Sequence, residues 1–239
     1  MSTHVQFLGH SCILIEHHGK RLLIDPFLNG NPKAAASAET IHPHLILVSH
    51  GHEDHLGDTI PIAKRTGAPV IANFEIGQWL QADPQSLEHV HGMQHGGGHD
   101  FGWVHVKLTL AFHGSTIPGG GYGGNPAGFL LKFKDGPTLY DAADTALFGD
   151  MKLIGEACVD LAFLPIGDYY TMGPDDALKA VQLINPARVV PIHYNTFPII
   201  RQDPHLWADR VQRETKSTPH ILEPGESLEI PTPNPHNSL

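Results

Sequence analysis

Four side chains that commonly bind metal ions fall within six residues early in the chain: His50, His52, Asp54 and His55. Neutral imidazole nitrogens and carboxylate oxygens are frequent ligands of divalent cations. The histidines at positions i and i+2 offer two nitrogen donors, and a turn could direct the adjacent oxygen and nitrogen donors at a second point. This one loop is therefore predicted to serve two metal ions.

The elements on either side of this cluster indicate how it is positioned. The apolar run at 45–48 predicts a short buried strand, and residues 59–65 are compatible with a helix. Histidine is abundant, at 19 of 239 residues, and an isolated histidine is usually solvated or satisfied in a core. The ordered H-x-H-x-D-H spacing between a strand and a helix is a far more specific signal than histidine content.

Alternating apolar and polar residues predict further strands whose ends carry polar side chains. Asp25 closes the third of three N-terminal strands, before Pro26, where it could serve only as a turn residue. His113 follows a predicted strand at 103–112, and His193 follows one at 188–192. Mixed strands and helices without a break in composition predict one α/β domain over residues 1–230, with a frayed tail at 231–239.

The histidine motif after a strand resembles the hallmark of the metallo-β-lactamase superfamily. This resemblance implies an αββα sandwich, in which two mixed β-sheets carry helices on both outer faces. The sequence is also similar, over nearly its whole length, to the UPF0173 group of metal-dependent hydrolases, which is related to the ascorbate-6-phosphate lactonases. The segments that carry this similarity are IDPFL at 24–28, MKLIG at 151–155, LPIGD at 164–168, TMGP at 171–174 and HYNTF at 193–197.

The resemblance implies where the remaining ligands lie. Asp144 stands at the position of a carboxylate that bridges two metals, usually in a Gly-Asp-Thr setting. Here Ala143 replaces the glycine, and Asp141 stands where close relatives commonly carry histidine, so Asp141 remains an alternative bridge. Asp25 is expected to orient the metal loop. The implied set is His50, His52 and His113 on one ion, Asp54, His55 and His193 on the other, and Asp144 between them.

Such a site predicts a hydrolase in which a hydroxide bridging two divalent metals cleaves a small ester, lactone or phosphodiester. Zinc suits the nitrogen-rich donors best, whereas the oxygen donors also admit manganese or iron. Asp54 is the predicted catalytic residue, and His10 and Tyr194 are candidate acids for the leaving group. The alternative function is a non-catalytic metal-dependent protein that binds or senses a small ligand.

The glycine-rich segment at 117–126 is either a linker or a flap beside the active site, and the flap is favoured because β-rich sequence flanks it.

Two superfamily activities are disfavoured. Flavodiiron oxygen reducers carry glutamate where this chain has His52. RNA-processing relatives insert a large second domain, for which this chain has no room.

Charge and composition limit the expected partners. The formal net charge is −10 and no lysine- or arginine-rich run is present, so nucleic acids and anionic membranes are not expected partners. A small-molecule substrate is expected, and formation of a homo-oligomer is left open. No apolar run reaches the roughly 18 to 20 residues of a membrane span, and no signal sequence is evident. With two cysteines, the expected location is the cytoplasm.

Overall fold

A computed structural model describes residues 2–232 of the protein. In chain order the strands are β1 (Thr3–Gly9), β2 (Cys12–His17), β3 (Lys20–Ile24), β4 (Leu45–Leu47), β5 (Val70–Asn73), β6 (Val90–Met93), β7 (Gly98–Asp100), β8 (Val104–Leu110), β9 (Thr116–Ile117), β10 (Gly121–Tyr122), β11 (Ala127–Phe133), β12 (Thr138–Asp141), β13 (Leu161–Pro165), β14 (Arg188–Ile192), β15 (Thr218–Pro219) and β16 (Ser227–Ile230). The helices are α1 (Glu53–Leu56), α2 (Thr59–Thr66), α3 (Phe74–Gln81), α4 (Met151–Gly155), α5 (Pro174–Ile184) and α6 (Pro204–Glu214), with a 3₁₀ turn at Pro198–Ile200.

Two seven-stranded mixed sheets form the body of the protein. The first has the order β16-β1-β2-β3-β4-β5-β6 and the second the order β15-β14-β13-β12-β11-β8-β7. In the first sheet β3 to β6 are parallel, and in the second β12 to β15 are parallel. The other neighbours are antiparallel. A small hairpin of β9 and β10 stands apart from both sheets.

Three apolar clusters show how the layers pack. The central cluster joins side chains of both sheets, including Ile15 and Leu47 of the first and Phe129 and Phe163 of the second. A second cluster packs α4, α5 and α6 on the second sheet, and a third packs α2 and α3 on the first. The predicted αββα sandwich is therefore confirmed, since each sheet buries one face against the other sheet and one face beneath helices.

Local sequence signals account for several helix ends. The Asn73 side chain accepts a hydrogen bond from the Ile76 amide at 2.9 Å, which caps α3 as expected from its sequence. Asp203 accepts from the His205 and Leu206 amides, and Pro204 begins α6. Gly67 ends α2 with a left-handed φ of 71°.

The structure departs from the sequence expectations in short elements. The glycine-rich residues 93–99 carry no strand pattern in the sequence, but β6 ends and β7 begins among them, and the chain passes there from the first sheet to the second. The turn expected after His52 is the short helix α1. Assignment of residues 1–230 to one domain stays a prediction. Most of the predicted tail, 233–239, lies outside the described residues.

Candidate metal centre

The predicted ligands lie where parallel strands end at one edge of the sandwich. In the first sheet, β3 leads into Asp25 and β4 leads into the histidine loop. In the second sheet, β12 leads towards Asp144 and β14 into His193. Because the carboxyl ends of parallel strands share an edge, four separate segments place their side chains together. His113, which follows β8, joins them from an antiparallel strand.

The first predicted ligand group is assembled in the structure. Donor atoms of His50, His52 and His113 all lie within 4.8 Å of one another. His50 Nε2 is 3.0 Å from His52 Nδ1, and the rings pack nearly edge to face. Glycine is required between these two histidines, because a Cβ on Gly51 would lie 3.0 Å from the Ile117 side chain and 3.1 Å from its backbone nitrogen.

The second group contains the other predicted ligands and one addition. Donor atoms of Asp54, His55 and His193 lie within 4.8 Å of one another, and His10 Nε2 falls within the same distance. His10 is 1% exposed and approaches Asp54 Oδ2 at 3.2 Å. The first group therefore offers three nitrogen donors, and the second offers nitrogen and oxygen donors, at separations that a metal ion could bridge.

Asp144 lies between the two groups and is 2% exposed. Its Oδ2 atom is 3.1 Å from His193 Nε2, 3.3 Å from His55 Nε2, 3.5 Å from His113 Nε2 and 4.0 Å from His50 Nε2. Its Oδ1 atom is buried without a hydrogen-bond partner among the described residues. An unsatisfied buried carboxylate oxygen is costly, so this environment fits a carboxylate that binds a cation.

Asp25 organises the ligand loop from beneath, as expected from the sequence. Its Oδ1 accepts the Ser49 amide at 2.8 Å, and its Oδ2 accepts the Ser49 hydroxyl at 2.5 Å and His55 Nδ1 at 2.7 Å. His50 Nδ1 lies 2.9 Å from the same hydroxyl. Because this hydroxyl donates its own hydrogen bond to Asp25, its oxygen accepts a hydrogen bond from His50 Nδ1–H. These bonds leave Nε2 of both histidines as the atoms that face the cluster.

Burial and the neighbouring charges shift the pKa values of the cluster residues in different directions. Burial holds the pKa of His50 well below its usual value, so this ligand is a neutral imidazole with a free lone pair. Burial also disfavours charge on His55, but Asp144 and Asp25 outweigh it and raise the pKa of His55 well above normal. Burial opposes charge on Asp144 as well, yet His193 and His55 lower the pKa of Asp144.

His10 holds Asp54 and does not face the cluster as a free donor. Burial, and then the nearby His193, lower the pKa of His10 to about 4, so the ring is neutral at physiological pH. Nε2 donates to the Asp54 carboxylate, and Nδ1 accepts from the Thr196 hydroxyl at 2.8 Å. Despite burial, the hydrogen bond from His10 lowers the pKa of Asp54, which remains a carboxylate.

Asp141 lies close by but outside the ligand groups. It is 1% exposed, its Oδ1 accepts the Ala143 amide at 3.0 Å, and burial followed by repulsion from Asp25 raises its pKa to about 8. Ala143 has a left-handed φ of 52°, and the turn continues from it to Asp144. The structure thus brings Asp144 and not Asp141 among the four histidine nitrogens, which favours Asp144 as the bridge.

Two adjoining chambers open beside the cluster, and both are lined by Asp54 and Phe197. The inner chamber, of about 380 Å³, has a polar lining and an apolar or aromatic lining: His52, Asp54, His113, Asp144 and His193 form the first, and Tyr170, Phe197, Ile199 and Ile200 form the second. The outer chamber, of about 710 Å³, is lined by residues of the loop after β3, of α1 and its flank, and by Pro118. Sequence reasoning assigned no role in the site to Tyr170, Phe197 or Ile199, because their exposure as large apolar side chains becomes visible only in the structure.

Tyr194 lies elsewhere than its candidate role requires. With His10, it lines a separate cavity of about 120 Å³ on the far side of the His10 ring, and burial raises its pKa to about 12. Neither residue lines the two chambers. This placement does not favour Tyr194 or His10 as the acid for a leaving group, and it gives His10 a positioning contact with Asp54 instead.

The glycine-rich segment lies beside the cluster. It contains the β9–β10 hairpin, and Pro118 at its start lines the outer chamber. The Ser115 hydroxyl accepts from the Gly51 amide at 3.1 Å and donates to the Gly123 carbonyl at 2.8 Å. These contacts tie the segment to the histidine loop, as expected for a flap.

The fold and the histidine–aspartate cluster define a metal-binding protein of the metallo-β-lactamase type, and comparisons with known proteins agree. The model of the β-lactamase superfamily domain matches residues 4–193. The chain is 49% identical over 231 residues to a UPF0173 metal-dependent hydrolase of Pelotomaculum thermopropionicum, covering 95% of this chain and 99% of that one. The protein therefore belongs to the β-lactamase superfamily, and within it to the UPF0173 group of metal-dependent hydrolases.

Solved structures show the same relationship. Igni18, a metallo hydrolase from the hyperthermophilic archaeon Ignicoccus hospitalis, is 35% identical with a TM-score of 0.87, over 97% of this chain and 99% of that chain. An isothiocyanate hydrolase from Delia radicum gut bacteria has a TM-score of 0.74 at 16% identity, over 96% of this chain and 99% of that chain, and this likeness concerns the fold alone. Within residues 2–232, no helix has the length and apolar character required to cross a membrane.

Proposed function

We propose that this metal-dependent hydrolase holds two divalent ions, zinc by preference, and cleaves a small ester, lactone or phosphodiester. His50, His52 and His113 would hold one ion, Asp54, His55 and His193 the other, and Asp144 both. The observation that carries the proposal is the surroundings of Asp144, whose Oδ2 lies within 4.0 Å of four imidazole nitrogens. Such a pair of ions supplies a hydroxide nucleophile near neutral pH and polarises the bond to be cleaved.

The protein's own residues orient the reacting groups and provide a carboxylate that can accept a proton. The Asp54 side chain is 34% exposed and lines both chambers, so one carboxylate serves the cluster and also faces substrate. Its hydrogen bond with His10 fixes its orientation, and its lowered pKa keeps it ready to accept a hydrogen bond from the attacking water. Burial of the histidines keeps bulk water from competing for the ligand atoms.

The test is a screen of metal-reconstituted protein, with Zn²⁺ and Mn²⁺ separately, against generic lactones, thioesters and bis-aryl phosphodiesters. We expect close to two metals per chain by elemental analysis, and turnover on at least one class. Asp54→Asn and Asp144→Asn should each abolish turnover with the fold retained, because an amide cannot carry the carboxylate charge. Glu229→Gln, which removes an exposed carboxylate on β16, is the matched control and should retain activity.

The second candidate is a non-catalytic metal-dependent sensor of a small ligand. Both candidates require the same ligand groups, so only turnover separates them. Absence of turnover on every class, with tight capture of an unmodified ligand beside the glycine-rich segment at 119–124, would replace the hydrolase proposal with the sensor.

A further inference from the structure

Large apolar side chains surround the inner chamber although they are not buried in a core. Phe197 is 38% exposed, Ile199 is 50% exposed and Tyr170 is 55% exposed, and all three face the space beside the metal ligands. Exposed aromatic and aliphatic groups gathered around one cavity commonly mark a binding surface, since single scattered ones need no explanation. The apolar part of the lining is therefore suited to an apolar group of a substrate.

Neither chamber has, among the described residues, a lysine or arginine that could pair with an anionic group of a substrate away from the bond that is cleaved. Lys33 lines the separate cavity behind His10. The outer chamber instead carries Glu53, which is exposed, and Asp58, whose carboxylate is satisfied by Leu28 and Asn29. A phosphate or carboxylate placed there would meet like charge and no cation.

We infer that the site hydrolyses uncharged carboxylic esters or lactones that carry an alkyl or aryl group, and discriminates against substrates with a distal phosphate or carboxylate. The inference rests on the proposed hydrolase function and narrows its substrate class. It separates this protein from the phosphorylated lactones to which the sequence resemblance points, because such a substrate carries a second anion that these walls do not neutralise.

The reaction needs no reactant other than the ester and water. The oxygen of water forms a bond to the acyl carbon, and the bond between that carbon and the ester oxygen breaks. One proton of the water passes to the departing oxygen, and the other is released from the new carboxylic acid. A lactone gives a hydroxy acid in the same way, and no oxidation takes place.

The test compares three 4-nitrophenyl esters that share one reacting bond. The acetate has a short chain, the hexanoate has a long apolar chain, and the monoglutarate has a similar length but ends in a carboxylate. We expect kcat/KM for the hexanoate to exceed that for the acetate by about tenfold, because its extra methylenes contact the apolar wall. The glutarate ester should fall about tenfold or more below the hexanoate.

Variants assign these preferences to particular side chains. Phe197→Ala and Ile199→Ala should each reduce the hexanoate-to-acetate ratio by about threefold or more. Leu206→Ala removes an exposed apolar side chain on α6 that lines neither chamber, and it should leave the ratio unchanged. Glu53→Gln should raise the rate on the glutarate ester relative to the hexanoate. Calorimetric titration with hexanohydroxamic and acetohydroxamic acids measures the same chain-length preference without turnover.

The outcomes separate the inference from the function on which it rests. Turnover of all three esters without a preference for the hexanoate, or with a preference for the glutarate, overturns the inference and leaves the hydrolase function intact. Turnover of phosphodiesters but of no ester does the same. Absence of turnover on every ester, lactone, thioester and phosphodiester overturns the proposed function and the inference with it.

Discussion

Residues with left-handed backbone conformations gather around the metal ligands. Asp25, Ala143 and His193 have φ values of 44°, 52° and 54°, and each follows a strand that ends at the cluster. For a residue other than glycine, this conformation costs on the order of 1 kcal/mol. The packing of the strands beneath these sharp turns therefore offsets part of the backbone strain that directs the side chains inward.

Ala143 offers a direct measure of that strain. We expect Ala143→Gly to raise the free energy of unfolding of the metal-free protein by about 0.5 to 1 kcal/mol, because glycine adopts positive φ without strain. Ala142→Gly is the matched control, since Ala142 is buried beside it without a positive φ, and should lower stability by about 1 kcal/mol. Urea unfolding of the three proteins provides the comparison, and a destabilised Ala143→Gly would show that the turn stores no strain.

Asp25 is expected to tune metal binding without touching the metal. In Asp25→Asn, one acceptor oxygen becomes an amide donor facing donors on Ser49 and His55. We expect metal affinity to fall about 10- to 100-fold, as for other partners of ligating histidines. Competition with a chromophoric chelator measures it.

The control for that change is Asp160→Asn. Asp160 accepts the Thr138 amide at 2.8 Å, directly before β13, at the end of the strand opposite to the cluster. Its replacement should leave metal affinity within about twofold of the parent. Equal losses in both variants would mean that Asp25 acts only through general stability.

Among the features of the fold, sequence patterns predicted best where the strands that lead into the site end. Apolar runs located β4 and β14, and with them the positions of His50 and His193, because a buried strand requires apolar residues whatever its partners. The short strand β7 is exposed along its length and carries no such pattern. The chambers were also beyond prediction, since Tyr170 and Phe197 come from separate loops that meet only in the folded chain.

The start of α6 allows an element to be weakened without changing any of the predicted metal ligands. Asp203→Ala removes the side chain that accepts from the His205 and Leu206 amides, and should lower the free energy of unfolding by about 1 kcal/mol. Metal content should not change, because α6 packs on the outer face of the second sheet. Asp203→Ser keeps a capping oxygen and should recover most of the loss in a chemical unfolding series. A loss of metal in Asp203→Ala would contradict this separation.

At the scale of the whole molecule, the two sheets share the proposed metal cluster. The histidine loop extends from the first sheet, whereas His113, Asp144 and His193 extend from the second. A ligand that binds only the folded state stabilises it by an amount that grows with the ratio of its concentration to Kd. Bound metal should therefore hold the two sheets together at this edge.

Removal of metal should consequently lower thermal stability. At free metal about 100 times Kd, we expect binding to add about 2.7 kcal/mol to the free energy of unfolding. Differential scanning calorimetry with and without a chelator measures this increment. His113→Ala should reduce it, whereas His205→Ala, which removes an exposed histidine of α6, should retain it in full. An increment unchanged in His113→Ala would argue against a shared cluster.

The pairing of the first and last described strands has a consequence for chain connectivity. Thr3 of β1 lies opposite Ile230 of β16, so the two ends of the described chain are neighbours on one sheet. A short linker could join them, and new ends could be opened at the exposed residues 83–84 after α3. Such a circular permutant would keep every strand neighbour and every ligand in place. The order in which the segments are synthesised would then be separable from the architecture that gathers the metal ligands.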